Sequence, residues 1–395
     1  MVAAPSPARL ATGVMGGGRT PTAVDAAGRR PCGGSVADWR WQLRHVVSRA
    51  AELDPWLDLT DAERAGLDHA ARGGLPLRVT PYVLSLCDPR DPDCPIRRQV
   101  VPRVEEASVV EGDLSDPLGE SEHEVAPRLV RRYPDRALLL ATDLCAAHCR
   151  FCTRREWVAS RSCPPAWRAL EPALAYLAGE PNVREVIISG GDPLLLGTAK
   201  LVRLLRAVRS IEHIQSIRLA TRAPSMLPQR VTPALVEALR PYHPLWVMTH
   251  FNHPRELTAE AGRACRRLVD SGFPLMNQTV LLRGVNDRVG ILEQLFRLLT
   301  SWRVRPYYLL QADPARGTAH LRTPLEAGVA IMSSLQGRLS GIALPKLMVD
   351  TPGGLGKVHV GAEVVVAQRS GRTSLRTFRG VEVDYVDPPT LPAGA

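Results

Sequence analysis

Lysine and aromatic residues are scarce in this sequence, and long apolar runs are absent. Arginine supplies 47 of the 50 basic residues, and aromatic side chains make up 5% of the chain. The arginines are scattered through predicted helices and loops, so the net charge of +10 does not predict a nucleic-acid-binding surface. A membrane span needs a run of about 18 uncharged apolar residues. No such run occurs, which argues against a membrane protein.

A secretory signal peptide is also absent from the first 34 residues. This stretch is rich in Gly, Ala, Pro and Arg and contains no continuous apolar core. We expect a disordered tail over 1–34, with a transit peptide as the less favoured alternative, and a cytoplasmic protein. In a reducing cytosol the eight cysteines are not expected to form disulfides. Three of them lie within eight residues, which favours a metal site.

Strand and helix patterns alternate from about residue 137 onward. Apolar or β-branched runs predict strands at 137–142, 184–189, 216–221, 245–250, 275–281 and 305–310. Amphipathic patterns predict helices near 165–178, 198–209, 232–240, 258–271 and 287–300. This sixfold alternation predicts an α/β fold with a parallel sheet wound into a barrel or part-barrel. In such barrels the chemistry lies at the carboxyl ends of the strands.

The residues before the barrel predict a helical segment followed by an arm. Apolar residues at helical spacing predict a helix over 35–53, and a capping box from Thr60 to Glu63 predicts the start of a second helix. Residues 80–135, rich in Pro, Asp and Glu, predict a connecting arm with few regular elements. The expected organisation is a tail over 1–34, a helical segment and arm over 35–135, a barrel over 136–345 and a C-terminal segment over 346–395.

A cysteine motif follows the first barrel strand. Cys145, Cys149 and Cys152 have the spacing C-x3-C-x2-C, and three thiolates can hold three irons of a [4Fe–4S] cube while the fourth iron stays open. A zinc site with His148 as fourth ligand is the alternative. Zinc sites usually take a second ligand pair from further along the chain, and Cys163 is the only nearby candidate. The motif therefore predicts an iron–sulfur cluster. The remaining cysteines, expected to be ordinary residues, are Cys32, Cys87, Cys94, Cys163 and Cys265.

The cysteine spacing resembles the radical S-adenosylmethionine superfamily. In that superfamily the open iron binds S-adenosylmethionine, and one electron releases a 5′-deoxyadenosyl radical. The segment Ser189, Gly190, Gly191 and Asp192, at the end of the second strand, resembles the superfamily's glycine motif for the methionine amino group. Alone, these four residues would indicate only a turn between a strand and a helix.

The three lysines can be compared as candidates for pyridoxal phosphate, which is held by a lysine as a Schiff base. Lys200 begins an amphipathic helix, and Lys346 follows a proline next to a possible strand. Lys357 ends the segment DTPGGLGK, whose glycines would let the backbone approach a ring or a phosphate closely. From this segment alone, an exposed lysine in a flexible turn is the better interpretation.

Longer motifs resemble the lysine 2,3-aminomutase family. They include DWRWQLRHVV, RYPDRALLLATDLC, LPQRVTPALVEAL, THFNHP, NQTVLLRGVND and VDTPGGLGK, and the resemblance runs from about residue 38 to 386. It implies a (β/α)6 part-barrel with an N-terminal helical segment. It also implies three cofactors, namely a [4Fe–4S] cluster, S-adenosylmethionine and pyridoxal 5′-phosphate. The implied reaction exchanges an amino group and a hydrogen between C2 and C3 of L-lysine, giving β-lysine.

The resemblance also implies a role for each matching position. Lys357 corresponds to the lysine that holds pyridoxal phosphate, and Arg154 to the residue that pairs with the substrate carboxylate. Asp313 and Asp350 correspond to the carboxylates that hold the distal ammonium of the substrate; without the resemblance both would be read as loop or turn residues. The positions implied around pyridoxal phosphate are Arg132, Tyr133 and Arg136, and those implied to contact S-adenosylmethionine are Ser189, Gly190, Gly191, Asp192, His250 and Gln278.

Alternatives remain within and outside the family. Glutamate 2,3-aminomutases are similar but carry amide or cationic residues where this chain has Asp313 and Asp350. The β-lysine-forming enzymes that serve elongation factor P are shorter and lack much of the N-terminal segment. From another class, an iron–sulfur electron-transfer or binding protein would explain the cysteines but leave the glycine motif and Lys357 unexplained.

The expected partners are lysine and a flavodoxin or ferredoxin as reductant, with no nucleic acid and no membrane. A homo-oligomer, either a dimer or a tetramer, is expected. Some relatives carry a zinc site at the subunit interface, with one cysteine just after GVND and others in the C-terminal tail. Arg288 takes the first of these positions here and the tail has no cysteine, so zinc is not expected.

Overall fold

The computed structural model describes residues 37–159, 165–361, 364–369 and 372–386. The predicted tail over 1–34 lies outside these ranges, as do Cys32 and Cys163. Within them, every helix is too short or too polar to cross a bilayer.

Ten strands form one sheet in which each strand pairs with the next in sequence. They are β1 (Glu124–Ala126), β2 (Leu129–Val130), β3 (Arg136–Thr142), β4 (Glu185–Gly190), β5 (Ser216–Ala220), β6 (Leu245–Thr249), β7 (Leu275–Leu281), β8 (Val304–Gln311), β9 (Lys346–Asp350) and β10 (Lys357–His359). Neighbours from β3 to β9 are parallel, whereas β1, β2 and β10 pair antiparallel at the two ends. Successive strand–helix units produce this order, and the predicted α/β part-barrel is confirmed.

Short helices precede the barrel and longer ones alternate with its strands. In the described ranges the α-helices are α1 (Trp39–Arg44), α2 (Ala50–Leu53), α3 (Asp61–Ala71), α4 (Pro81–Leu84), α5 (Arg97–Val100), α6 (Arg155–Ala159), α7 (Glu171–Gly179), α8 (Thr198–Arg209), α9 (Ala223–Met226), α10 (Pro233–Leu239), α11 (Ala259–Asp270), α12 (Val289–Ser301) and α13 (Leu325–Leu335). Single 3-10 turns join several of them. Helices α7, α8 and α10 to α13 each follow one of the strands β3 to β8, and they form the outer layer.

The barrel elements lie close to their predicted positions. Strands β3 to β8 match the six predicted strands with ends that differ by at most one residue. Local capping explains the helix starts, because the hydroxyls of Thr232 and Thr258 accept the backbone N–H of Leu235 and Ala261, each at 3.1 Å. Gly272 follows α11 with a φ of +87°, a left-handed conformation that favours glycine.

The main core lies between the sheet and the outer helices. Helix α8 illustrates the pattern, since Leu201, Leu204, Leu205 and Val208 recur every three or four residues and are all buried. They belong to one apolar cluster with strand residues such as Ile188. Side chains of this kind fix each strand end, and with it the loop that follows.

The helix predicted over 35–53 is wrong, because the chain forms two short helices there. Between α1 and α2, Val47 forms an isolated antiparallel bridge with Val79, with N···O distances of 2.9 and 3.1 Å. Arg49 is extended, with a φ of −128° and a ψ of 150°. Val47 is β-branched, which favours strand pairing over helix. The periodicity of the local sequence carries no information on a pairing partner 32 positions away. The capping box at Thr60 is confirmed.

The arm between the helical segment and the barrel braces the cysteine loop. Buried residues such as Val79, Val83 and Ile96 share a second apolar cluster with Ala146 and Ala147 of that loop. The guanidinium of Arg97, fully buried, donates to both carboxylate oxygens of Glu63 at 2.7 and 2.6 Å. The segment therefore has its own core, placed against the loop.

Three groups of strands lie outside the six predicted ones, and the first is the short pair β1 and β2 within the arm. Strand β9 continues the barrel parallel to β8, and β10 returns beside β9, so the sheet crosses the boundary expected at 345 and 346. A separate antiparallel sheet contains β11 (Val365–Arg369), β12 (Arg372–Arg376) and β13 (Glu382–Val386). Strands β9 to β13 have only three to five residues each, too few for a periodic signal.

Candidate active site

One cavity of about 690 Å³ runs along the inside of the barrel, from Arg136 and Glu185 at the amino ends of β3 and β4 to the loops at the carboxyl ends of the strands. Its volume is in the range of small-molecule and cofactor sites. Every site residue predicted from the sequence lines it: Cys145, Cys149, Cys152, Arg132, Tyr133, Arg136, Arg154, Ser189, Gly190, Gly191, Asp192, His250, Gln278, Asp313, Asp350 and Lys357. The fold thus brings together side chains that lie up to 225 positions apart in sequence, between Arg132 and Lys357.

The cysteine loop is held by backbone hydrogen bonds to the N-terminal segment. The N–H of His148 donates to the carbonyl of Arg78 at 2.8 Å, and that of Arg150 donates to the carbonyl of Gln99 at 2.9 Å. The buried Arg150 guanidinium also donates to both oxygens of Glu106, at 2.8 and 2.6 Å. These contacts fix the loop independently of any metal.

The electrostatics of the loop suit an iron–sulfur cluster. Burial raises the pKa of Cys145 and brings that of Cys152 to about 11, and the neighbouring cysteines add to both effects. Thiols this weakly acidic become thiolates when a metal displaces the proton. Arg222 Nη1 donates to the sulfur of Cys149 at 2.8 Å, and Arg78 Nε donates to the Cys145 carbonyl at 2.6 Å. Two cations therefore face the charge that a thiolate-bound cluster would bring.

The alternative of a zinc site requires His148 as the fourth ligand. The Nδ1 atom of His148 lies 2.8 Å from the carbonyl oxygen of Pro76, and burial lowers its pKa to about 4. Among the described residues, no three His, Cys, Asp or Glu side chains are arranged to share one metal ion. A cube binds each thiolate to a different iron, so its three ligands need not converge on one point.

The glycine motif allows strand β4 to approach the cysteine loop. A Cβ on Gly190 would lie 2.3 Å from the carbonyl oxygen of Thr142, and one on Gly191 would lie 2.2 Å from that of Leu144. Real Cβ atoms do not come so near to a backbone oxygen. Both glycines are therefore required sterically, in addition to any contact with a cofactor.

Asp192 organises the strand ends around the motif. Its buried carboxylate accepts hydrogen bonds from the Thr221 hydroxyl at 2.7 Å, the Leu194 N–H at 3.0 Å and the Arg222 N–H at 2.8 Å. Burial raises the pKa of this carboxyl group, and these hydrogen bonds act in the opposite direction. Asp192 thus joins the ends of β4 and β5.

His250, directly after β6, and Gln278, within β7, also line the cavity. His250 Nε2 is 3.0 Å from Asn252 Oδ1, and its ring centroid is 5.7 Å from that of Phe151 in the cysteine loop. Burial and the Arg222 cation hold the pKa of His250 well below its usual range, which leaves the ring neutral. Gln278 is a half-buried residue of β7 that also lines the cavity.

Of the three lysines, the fold brings only Lys357 into the cavity. Lys200 is exposed on α8 and Lys346 is exposed at the start of β9, and neither lines the cavity. Lys357 pairs directly across from Asp350 in the β9–β10 register, and its Nζ contacts Asp350 Oδ2. Its backbone N–H donates to the Tyr133 hydroxyl at 2.9 Å. A single amine thus stands where pyridoxal phosphate could be held.

The surroundings of Lys357 fit pyridoxal phosphate. Arg132 Nη2 lies 3.3 Å from Asp350 Oδ1, and the Arg136 guanidinium stacks 3.8 Å from the Tyr133 ring centroid. Two guanidinium groups at the cavity wall suit a phosphate. The glycines before Lys357 were expected to lie against a cofactor ring or phosphate. Gly354 instead lies against His123, since a Cβ on Gly354 would be 2.7 Å from the His123 ring.

Asp313 and Asp350 form an acidic pair beside Lys357. Burial raises the pKa of Asp313 to about 7, and the Asp350 charge adds to this while Lys357 and Arg132 oppose it. A carboxyl group with this pKa ionises more readily when a cation arrives. The pair is thus suited to receive a positively charged group.

Arg154 already has a carboxylate partner in this structure. Its Nε and Nη2 donate to the two carboxylate oxygens of Glu120 at 2.6 and 2.5 Å, and both residues line the cavity. A guanidinium has two edges that can each hold a carboxylate, and this pair uses the side edge. The terminal edge with Nη1 remains for a second carboxylate.

Sequence reasoning missed several residues of the cavity wall. Tyr307 and Tyr308 are adjacent, yet both line the cavity, because a β-bulge places Asn277 opposite Pro306 and Gln278 opposite Tyr308. Their rings stack 3.7 Å apart. Glu120 and Arg222 were also missed, since a charged residue in a loop carries no signal of what it will contact.

Two family models match the sequence. The model described as Lysine-2,3-aminomutase covers residues 332–394, and the Radical SAM superfamily model covers residues 139–295. The first includes Asp350 and Lys357, and the second includes the cysteine loop and the glycine motif.

Curated proteins match over most of the chain. The L-lysine 2,3-aminomutases of Fusobacterium nucleatum subsp. nucleatum and Clostridium subterminale are 44% and 43% identical over 351 residues, which is 89% of this chain and 82% and 84% of theirs. The glutamate 2,3-aminomutase of Clostridioides difficile is 34% identical over 363 residues, 91% of this chain and 85% of that protein. A radical SAM methyltransferase structure from Sphaerobacter thermophilus has a TM-score of 0.41 at 21% identity, over 56% of this chain and 68% of that one.

Proposed function

The chain belongs to the lysine 2,3-aminomutase family of radical S-adenosylmethionine enzymes, and from this premise we propose that it is an isomerase that converts L-lysine to β-lysine. The reaction moves the amino group from C2 to C3 and a hydrogen in the opposite direction. The family brings a [4Fe–4S] cluster, S-adenosylmethionine and pyridoxal phosphate as cofactors. The choice of lysine as the substrate depends on the side chains of the site.

The pair of carboxylates beside Lys357 is the observation that carries lysine as substrate. A lysine side chain enters as an ammonium, and an unpaired charge costs several kcal/mol in a buried site. Asp313 and Asp350 offer two anionic partners in one cavity. The γ-carboxylate of glutamate would be repelled at the same place. The higher identity to the lysine enzymes than to the glutamate enzyme points the same way.

Arg154 is proposed to bind the carboxylate that all α-amino acids share. Glu120 fixes the plane of the guanidinium through its side edge, so that the terminal edge can hold the substrate bidentately. A guanidinium held in advance loses little freedom when the substrate binds. With Arg154 at one end and the acidic pair at the other, the two charged ends of lysine have partners of opposite sign.

The remaining residues hold the cofactors and keep the site closed. When bound, the cluster and S-adenosylmethionine would supply the radical that starts the reaction, and pyridoxal phosphate would supply the aldehyde that holds the amino nitrogen while it moves from C2 to C3. Cys145, Cys149 and Cys152 hold the cluster, and Lys357 holds pyridoxal phosphate. Apolar side chains complete the wall and exclude water, among them Met248, Met276, Val280 and Leu310.

The partners and location follow from the same proposal. Reduction of the cluster needs a one-electron donor, and we propose a flavodoxin or a ferredoxin. The protein is proposed to work in the cytoplasm, where such donors and reduced thiols occur. A homo-oligomer is proposed as well.

Turnover of competing substrates tests the substrate assignment. We expect the reconstituted enzyme, assayed without oxygen, to prefer lysine to glutamate. Asp313→Asn should lower kcat/KM for lysine by about 30- to several-thousand-fold. This loss corresponds to roughly 2–5 kcal/mol for one ammonium left without its carboxylate partner. Asp54→Asn, on an exposed aspartate of the helical segment, is the matched control. Asp313 is a cleaner test than Asp350, which also contacts Lys357.

Cofactor content must stay constant for this comparison. Iron and pyridoxal phosphate should be unchanged in the Asp313 variant. A preference for glutamate in the wild-type protein, or near-normal lysine turnover in the variant, would rule out lysine as the substrate while leaving the radical chemistry intact.

A further inference from the structure

Arg222 lies between the cysteine loop and a buried polar cluster. Its Nη1 donates to the Cys149 sulfur at 2.8 Å, and its Nη2 donates to Gln99 Oε1 at 3.1 Å and Glu256 Oε2 at 3.4 Å. Gln99 and Glu256 have no exposed surface, and the Arg222 side chain is 12% exposed. This contact was not expected from the sequence.

Several elements hold the guanidinium in this position. The Asp192 carboxylate accepts the Arg222 N–H at 2.8 Å, which fixes the backbone at the end of β5. Glu256 Oε1 accepts hydrogen bonds from Gln99 Nε2 at 2.9 Å and from the Asn252 N–H at 3.2 Å. Gln99 belongs to α5 of the N-terminal arm. The arm and the barrel therefore both anchor the cation.

The same cluster reaches His250, which lines the cavity. Asn252, fully buried, donates from Nδ2 to Gln99 Oε1 at 3.0 Å, and its Oδ1 lies 3.0 Å from His250 Nε2. A shift of Arg222 would disturb Gln99 and Asn252, and through them His250.

We propose that Arg222 is a positioning residue that raises the reduction potential of the iron–sulfur cluster by donating a charged hydrogen bond to the Cys149 thiolate, with Glu256 as its buried counter-charge. Reduction adds one electron from a one-electron donor to the cluster, no proton moves, and the cluster with its thiolates gains one negative charge. A cation touching a cluster sulfur stabilises this reduced state more than the oxidised one. Glu256 is farther from the sulfur than the guanidinium is, so it offsets only part of the effect.

Two substitutions should move the potential in opposite directions. Arg222→Met removes the cation and leaves the Glu256 anion near the cluster, so reduction should become harder by at least about tenfold in its equilibrium constant, about 59 mV for one electron. Glu256→Gln keeps the shape of the side chain and removes the anion, so reduction should become easier, by about threefold to tenfold. A merely structural role for Arg222 predicts no such pair of opposite shifts.

The test is an equilibrium redox titration of the reconstituted full-length protein, followed by electron paramagnetic resonance with dithionite and mediator dyes. Iron is measured in each sample. Arg203→Met is the control, because it removes the same charge from an exposed position on α8, where the guanidinium stacks 3.9 Å from the Trp167 ring. Its potential should match that of the wild-type protein.

The outcomes separate clearly. A lower potential in Arg222→Met and a higher one in Glu256→Gln, at full iron content, support the proposal. Unchanged potentials, or shifts of the same sign, overturn it. If Arg222→Met loses its iron, Glu256→Gln decides alone, with a rise in potential in favour and no change against. Lysine and pyridoxal phosphate are left out of the titration, so the inference rests on the cluster and not on the proposed substrate.

Discussion

Lys357 contributes the one lysine amine that the described structure places in the cavity, so its replacement has a sharply defined consequence. Lys357→Ala should remove the visible absorbance of lysine-bound pyridoxal phosphate and abolish turnover, since no other described lysine reaches the site. Iron content should not change. Lys200→Ala and Lys346→Ala are the matched controls, and absorbance lost in the Lys346 variant instead would contradict the assignment.

The pH dependence of kcat/KM for lysine should follow the ionisation of the Asp313 carboxyl group. Burial raises its pKa to about 7, so below pH 7 the carboxyl group is protonated and cannot pair with the substrate ammonium. The charged groups around it are Asp350, Lys357 and Arg132. We expect kcat/KM for lysine to rise about tenfold for each pH unit below 7 and to level off above it. A profile that is flat from pH 5.5 to 7 would contradict this expectation.

Glu120 should affect binding of every α-amino acid rather than lysine alone. Glu120→Gln removes the charged carboxylate that holds the Arg154 guanidinium in place. KM for lysine should therefore rise by roughly threefold to tenfold, with kcat nearly unchanged. Arg154→Lys loses the planar fork and should cost at least about 30-fold in kcat/KM. Glu122→Gln, on an exposed residue of the same loop, is the control. A lower KM in Glu120→Gln would mean that Glu120 competes with the substrate.

At the residue scale, the sequence predicted some of these roles for physical reasons and others only by resemblance. The close spacing of Cys145, Cys149 and Cys152 points to a cluster without further help. Asp313 precedes a proline and looks like an ordinary turn residue, so its acidic partner 37 positions away could come only from the family pattern. Contacts such as that between Arg222 and Cys149 depend on tertiary structure and leave no trace in the sequence.

At the scale of elements, the join between β4 and the cysteine loop is the tightest part of the site. Gly191→Ala would place a Cβ 2.2 Å from the Leu144 carbonyl oxygen, so the backbone must shift. Overpacking of this kind costs about 1–3 kcal/mol. We expect a lower midpoint of denaturant unfolding together with partial loss of iron.

A second glycine provides the control for that prediction. Gly290 lies exposed in α12, and a Cβ there would meet nothing within 4 Å. Gly290→Ala should leave the stability unchanged or raise it by up to about 1 kcal/mol, because alanine favours helix. Equal stability of the two alanine variants would show that the close approach at Gly191 is not needed.

Element prediction succeeded where the pattern is local and long. Strands β3 to β8 and helix α8 repeat their apolar residues regularly, and their ends follow from caps and glycines. It failed at 35–53, where Val47 pairs with the distant Val79, and it missed β9 and β10, which are short and stabilised by their neighbours in the sheet. Both outcomes reflect how far each element depends on tertiary partners.

At the scale of the whole molecule, the C-terminal sheet carries unusual apolar exposure. The exposed large side chains there are Val365, Val366, Phe378, Val381, Val383, Tyr385 and Val386. Apolar groups concentrated on one small sheet mark an interaction surface more often than a free one. This observation supports the proposed homo-oligomer but does not choose between a dimer and a tetramer.

Zinc content and assembly can be measured together. Because Arg288 stands where the family resemblance implies a zinc-binding cysteine, we expect less than one zinc per chain in metal analysis, and a dimer at least as readily as a tetramer in sedimentation equilibrium. Stoichiometric zinc that resists a chelator would contradict this prediction and would require other ligands.

The central claim is that the chain moves the α-amino group of lysine to C3, and isotope tracing tests it most directly. The reconstituted enzyme would be incubated without oxygen with L-lysine carrying ¹⁵N in the α-amino group and ¹³C at C3, together with S-adenosylmethionine, pyridoxal phosphate and dithionite. The account predicts β-lysine in which ¹³C at C3 is bonded to ¹⁵N, seen as a new coupling in the carbon spectrum. Lysine recovered unchanged, with active cluster and bound pyridoxal phosphate, would contradict it.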